Sequence, residues 1–232
     1  MAQIETKTEQ LHQDQPCKEF LTTHDMAEVV NPTSTYPVLM TVEHACPNPP
    51  KGFDMGISPQ DDTIAYFYDV GIPDVARRVC EMNGATTIYG RTTRLVIDLN
   101  RLEGDDDLIV ENEYYGIELP ANTNMSDEEK ERRVREYYRP YHATLDAHVK
   151  RLQQIHPQPL FFSLHSYPRH ERGLDEPYPW DFACLYNKDN RMAQIFMDHI
   201  RAEYPDVVVG DNQPYDLREY QTGSVYQHGE LN

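Results

Sequence analysis

The residues best placed to do chemistry stand at the ends of short apolar runs. Asp98, Asn100 and Arg101 close the run Arg94-Leu95-Val96-Ile97-Asp98-Leu99-Asn100-Arg101, Glu43-His44 follows Leu39-Met40-Thr41-Val42, and His165-Ser166-Tyr167 follows Phe161-Phe162-Ser163-Leu164. A carboxylate and a guanidinium in an otherwise apolar stretch must pair with each other, with a metal system or with an anionic ligand, because an unpaired buried charge is costly. The planar fork of an arginine matches a carboxylate through two parallel hydrogen bonds, which points to a carboxylate-bearing ligand; a structural Asp-Arg pair is the alternative. Two histidines at separate strand ends, with a carboxylate as third donor and water in the open position, make up a catalytic zinc site.

Such residues act together only if the fold delivers them to one place. Alternating apolar runs predict strands at Pro37–Val42, Thr86–Tyr89, Leu95–Ile97, Leu160–Leu164, around Phe182–Tyr186 and at Val207–Val209. A helix begins near Pro73 and stops before Gly84, with Val75, Val79 and Met82 on one face. A longer helix opens with capping-box spacing at Ser126-Asp127-Glu128-Glu129, carries Val134, Tyr137, Tyr141, Leu145, Val149 and Leu152, and should kink at Pro140. A last helix runs from about Asn190 to Tyr204. The order predicts a mixed, mostly parallel α/β sheet with helices on both faces, and ligands in such sheets collect beyond the carboxyl ends of strands. The acidic, aperiodic stretch from Glu103 to Asn124 reads as an excursion that lines or lids a cleft.

Length and 39% hydrophobic content suit one domain over 35–232, preceded by a flexible polar leader over 1–34. A net charge of −18 argues against nucleic acid and anionic membranes as partners. Cys17, Cys46, Cys80 and Cys184 show no CxxC spacing, and the chain has no apolar run of membrane-spanning length and no secretory apolar segment, so the expected compartment is the cytoplasm.

Six motifs in order carry a family resemblance: Val42-Glu43-His44-Ala45, Tyr68-Asp69-Val70-Gly71, Arg94 through Arg101, His165-Ser166-Tyr167, Val209-Gly210-Asp211-Asn212-Gln213-Pro214-Tyr215 and His228-Gly229. Together, from about Val38 to Glu230, they resemble the N-formylglutamate amidohydrolase family, which is similar in fold to zinc carboxypeptidases (phosphorylase/hydrolase-like). The resemblance implies one Zn²⁺ held by His44 and His165. Glu43 is the nearest carboxylate for the third position, with Asp62 and Asp69 as alternatives. It also implies that Arg101, aided by Asn100, holds a substrate carboxylate, that Asp98 orients that arginine or a metal ligand, and that Asp69, Asn212 and His228 lie around the substrate pocket.

The implied reaction is zinc-assisted hydrolysis of an N-acyl amino acid, N-formylglutamate giving formate and glutamate. The family continues past the His-Gly motif into a strand whose glutamate resembles the carboxypeptidase base. Here Glu230-Leu231-Asn232 ends the sequence, leaving Glu230 as the substitute in residue type and making turnover doubtful. A homologue that keeps only metal or carboxylate binding, and a metallopeptidase or N-acyl amino-acid hydrolase of other specificity, are the competing expectations.

Overall fold

The structure, a computed structural model, describes residues 26–60, 63–220 and 222–230. Its centre is a sheet of four strands: β1 (Ala27–Val30), β2 (Val38–Val42), β3 (Thr86–Gly90) and, after the intervening elements, β6 (Leu160–Ser163). The spatial order is β1-β3-β2-β6, with β2 parallel to both β3 and β6 and only β1 antiparallel. This is the mixed, mostly parallel sheet that the alternating pattern predicts. The strand β1 falls within the span expected as a leader, because Ala27, Glu28, Val29 and Val30 pair with Gly90, Tyr89, Ile88 and Thr87. Residues 1–25 of that span lie outside the described residues.

Helices cover both faces of the sheet. On one face Leu39 and Ile88 pack with Tyr141, Leu145, Val149 and Leu152 of α3 (Arg139–Gln153). On the other, Met40, Val42 and Tyr89 pack with Ala76 and Cys80 of α1 (Ile72–Asn83). Adjacent strand residues thus feed opposite layers, as the pleat requires. Helix α1 starts after Gly71 and ends at Gly84, as expected, but its buried face differs from the expected one. Val75 and Met82 are exposed, and the small side chains of Ala76 and Cys80 meet the sheet.

The long helix divides into α2 (Asp127–Arg133), a π turn over Val134–Tyr138, and α3. Ser126 accepts from the Glu129 N–H at 3.2 Å, which is the expected cap. The widened turn immediately precedes Pro140, which cannot donate into the α ladder, so the break arises from the missing N–H.

The expected strand at Leu95–Ile97 is not one. The segment is deeply buried but runs as successive turns, and its carbonyls bond side chains instead of a neighbouring strand. Asn122 Nδ2 donates to Leu95 O at 2.8 Å, and Arg133 donates to Val96 O at 3.0 Å and to Asn122 Oδ1 at 2.7 Å. Buried backbone groups must find partners, and here two polar side chains supply them.

Within the acidic excursion, β4 (Glu113–Tyr114) and β5 (Ile117–Glu118) form a hairpin. Its turn residues Tyr115 and Gly116 both have positive φ, 50° and 74°, the pairing that a two-residue turn of right-handed twist requires. A separate parallel pair joins β7 (Phe182–Cys184) to β8 (Val209–Asp211), with α4 (Arg191–Glu203) packed against both. Among the described residues no helix is long and apolar enough to cross a membrane.

Candidate metal centre

The parallel neighbours β2 and β6 deliver Glu43-His44 and His165 to the same sheet edge, because their register pairs Thr41 with Ser163. Gly90 makes room for the bend after β2. A Cβ on it would lie 2.1 Å from the Glu43 carbonyl oxygen, so only glycine fits there. The segment before α1 crosses this edge, and the Asp69 N–H donates to His44 O at 2.9 Å. Arg94, Asp98 and Asn100 arrive from the buried segment held by Asn122 and Arg133.

His44 and His165 converge, with ring centroids 4.9 Å apart. The carboxylate that meets both rings is Asp69. Its Oδ2 stands 2.8 Å from His165 Nδ1 and 3.6 Å from His44 Nδ1. One ligand atom from each of His44, Asp69 and His165 lies within 4.8 Å of the others, a grouping that does not include Glu43. The grouping thus brings in Asp69, one of the alternatives to Glu43 for the third position. Glu43 turns toward β6. It accepts from Ser163 Oγ at 2.8 Å and lies 3.3 Å from His165 Nε2.

Each histidine keeps a second nitrogen anchored. His44 Nε2 donates to Asp98 Oδ1 at 2.7 Å, leaving Nδ1 as an acceptor, and Arg94 donates to that Nδ1. Arg94 also donates to Asp69 Oδ1 at 2.5 Å. His165 Nε2 lies 2.8 Å from Ser163 Oγ and 3.2 Å from Asn100 Nδ2. Asp98 thus anchors the His44 ring.

The electrostatics follow from this packing. Burial opposes ionisation of Glu43, but the hydrogen bond and charge of His165, with Ser224 and Ser163, hold its carboxyl down at about 2. Burial likewise opposes ionisation of Asp69 and Asp98, and the neighbouring imidazoles more than offset it, so both carboxyls titrate well below the ordinary range. Burial works against a charged His165, yet hydrogen bonds and charges from Asp69 and Glu43 push the ring up to about 10. In the protein alone His165 is therefore an imidazolium clamped between two carboxylates.

The remaining expected residues divide. Asn100 lies beside the cluster, its Nδ2 3.2 Å from His165 Nε2. Arg101 lies beside it, its Nε donating to Asp107 at 2.6 Å and one terminal nitrogen donating to Asn100 O at 3.1 Å. Asn212 sits instead at the β7–β8 junction, where its Oδ1 accepts from the Tyr186 N–H at 2.8 Å. His228 belongs to a separate buried network, donating from Nδ1 to Asp146 at 2.9 Å and pairing through Nε2 with His142 Nδ1 at 2.7 Å. Glu230 ends the π-helical segment Val225–Glu230, and its side chain lies outside the described residues, as does Asp62.

Sequence reasoning missed Ser163, Tyr114 and the His142-Asp146-His228 network. Tyr114 of the hairpin is electrostatically coupled to Arg94, a relationship with no local signal in the sequence. His142 and Asp146 did carry one, since spacing of four places both on one face of a helix.

A family model described as N-formylglutamate amidohydrolase matches residues 36–231. In fold the chain is similar to a gene product of Agrobacterium tumefaciens, with TM-score 0.74 and 23% identity over 84% of this chain and 75% of that one. It is also similar to N-formylglutamate amidohydrolase from Ralstonia eutropha, with TM-score 0.62 and 21% identity over 88% of this chain and 82% of the other. No curated protein matches the chain in sequence.

Proposed function

This chain belongs to the N-formylglutamate amidohydrolase family, and we propose on that premise that it hydrolyses an N-acyl amino acid of the N-formylglutamate type, using one Zn²⁺. The observation that carries the reading is the convergence of His44, Asp69 and His165. Two imidazoles and a carboxylate are the donor types of catalytic zinc sites. The separations of 3.6 and 2.8 Å around Asp69 Oδ2 bracket the roughly 3.4 Å edge of a tetrahedron with bonds of about 2.1 Å. When bound there, zinc supplies an acidified water and a Lewis acid for the acyl oxygen.

The chain's own groups do the positioning. Asp98 fixes the tautomer of His44 by accepting from Nε2, and Ser163 with Glu43 restrains His165, the carboxylate-to-histidine support common around metal donors. Arg94 holds Asp69 Oδ1 and leaves Oδ2 turned toward the histidines. We assign Arg101 to the substrate carboxylate, its guanidinium aimed by Asp107 and the Asn100 carbonyl. Glu43 accepts from Ser163 and faces His165 Nε2, which makes it an orienting group for that ring. Glu230 is the proposed proton acceptor.

The test is formate release from N-formylglutamate by zinc-loaded protein against a His165→Ala control. Release that depends on zinc and on His165 is the expected result, and equal release from the control overturns the assignment. Zinc binding without turnover on a panel of acyl amino acids would instead place the chain among binding proteins. A cytoplasmic location and a small-molecule partner accompany the proposal.

A further inference from the structure

The metal centre is open on the side of His165. The side chain of His165 is 30% exposed, whereas those of His44 and Asp69 are 5% and 1% exposed. His165 is also the residue from which the next loop springs. The Ser166 N–H donates to Asp69 Oδ2 at 3.2 Å, which pins the root of that loop to the donors. The Tyr167 hydroxyl donates to Trp180 O at 3.0 Å and the Tyr178 N–H to Arg169 O at 2.9 Å, so the two limbs of 167–180 run side by side from that root. Compact surface loops whose ends lie close together are frequently functional.

The outer part of the loop is fastened to the opposite wall at one place. The Arg172 N–H donates to Tyr66 Oη at 3.0 Å, its guanidinium carbon stands 5.6 Å from the centroid of the Tyr66 ring, and Nη1 donates to Tyr115 O at 3.3 Å. Tyr66 is buried and precedes the donor Asp69 by three residues. Tyr115, in the turn of the β4–β5 hairpin, stacks on Tyr66 with centroids 5.1 Å apart, and Tyr114 meets the same ring edge-on at 6.2 Å. Tyr66 is therefore the common seat of the hairpin and the loop. Arg172 itself is exposed, so its hold can break and re-form without opening the core.

We propose that 167–180 is a cover over the His165 side of the metal centre, and that Arg172 clasps it shut on Tyr66 and Tyr115. Open, it admits and releases metal and substrate; closed, it keeps bulk water from the reacting bond. Arg172 touches no metal donor, so the clasp sets rates and leaves the metal equilibrium unchanged. The inference rests on the reading of His44, Asp69 and His165 as metal donors.

The test follows Zn²⁺ uptake and release by stopped flow with a chelating dye, on the full chain. Tyr66→Phe keeps the ring and removes only the oxygen that accepts from Arg172. Arg172→Ala removes the guanidinium contacts with Tyr66 and Tyr115 and keeps the backbone donor. Each should speed zinc release about fivefold, the change in open population that one hydrogen bond of ordinary net strength controls, read where the rate no longer depends on chelator concentration. Uptake should speed by the same factor, leaving Kd within about twofold. Amide hydrogen exchange of 113–118 and 169–178 in the zinc-free protein should quicken in both variants, a readout that needs no metal. Wild-type zinc rates in both variants, unchanged amide exchange, or a Kd that rises as much as the release rate overturns the cover. Wild-type zinc affinity in His165→Ala overturns the metal reading itself, which keeps the two failures distinct.

Discussion

Asp69 Oδ2 lies 2.8 Å from His165 Nδ1, although 96 residues separate the two in the chain. Asp69 also receives Arg94 on its other oxygen, so it is held from both sides at the point where the histidines meet. Asp69→Asn should therefore remove a donor and lower zinc affinity by two orders of magnitude or more. Glu43→Gln, which disturbs only the support of His165, should cost about 10- to 100-fold. Chelator competition on both variants decides between them, and a larger loss in Glu43→Gln would return the third position to Glu43.

The buried His142-His228 pair predicts acid sensitivity of the fold. Burial pushes His142 down to about 3, with the neighbouring His228 adding to the effect, and burial lowers His228 as well. A histidine depressed in the folded state binds fewer protons there than when unfolded. Its stabilising contribution is complete above the unfolded value of about 6.5 and is lost as pH falls from there toward the folded value. The loss approaches about 1.4 kcal/mol per pH unit for each such group. His165 titrates in the opposite sense. Raised to about 10, it contributes fully below 6.5 and loses that contribution only as pH rises toward 10. Between pH 6.5 and about 4.5 the depressed histidines therefore dominate, since the carboxylates begin to matter only below that. Urea midpoints across this window should fall with pH in the wild type and fall less in His142→Leu. Parallel slopes would remove the pair from the explanation.

Arg133 is the side chain whose loss should most damage the fold that carries the site. It is 1% exposed and donates to Val96 O, Ala121 O and Asn122 Oδ1 while pairing with Glu129. Arg133→Met removes all four bonds and leaves buried carbonyls unpaired, a change expected to cost about 3–5 kcal/mol. Thermal unfolding measures it, and a loss below about 1 kcal/mol would mean that water or a rearranged Asn122 satisfies those carbonyls.

The same residue explains where the sequence was misleading. Leu95-Val96-Ile97 has the composition of a buried strand, and burial is what composition reports. The hydrogen-bond partner is a separate fact, and it comes from Asn122 and Arg133, more than 25 residues away. Strands β2, β3 and β6 were legible because each is an apolar run in a sheet covered on both faces, and the loaded ends after β2 and β6 followed from them. Asp69 was legible only as one of several acids, since its place depends on how the chain before α1 crosses the sheet edge. His228 carried a family signal but no geometric one, and its partner is a helix that a linear reading cannot dock.

The role assigned to Arg101 separates binding from chemistry in a measurable way. Its Nε is committed to Asp107 and one terminal nitrogen to the Asn100 carbonyl, so a substrate carboxylate would meet a guanidinium whose orientation is already fixed. A carboxylate held equally in the ground and transition states contributes to KM and not to kcat. Arg101→Lys keeps the charge but loses the planar fork, and hydrogen bonds to charged groups are worth about 1.5–3 kcal/mol. KM for N-formylglutamate should rise by roughly 10- to 100-fold with kcat within a few-fold of wild type. Asp107→Asn, which loosens the aim without removing the cation, should raise KM by a smaller factor in the same direction. A fall in kcat at unchanged KM in either variant would instead place Arg101 against the reacting bond, with the substrate carboxylate bound by another group.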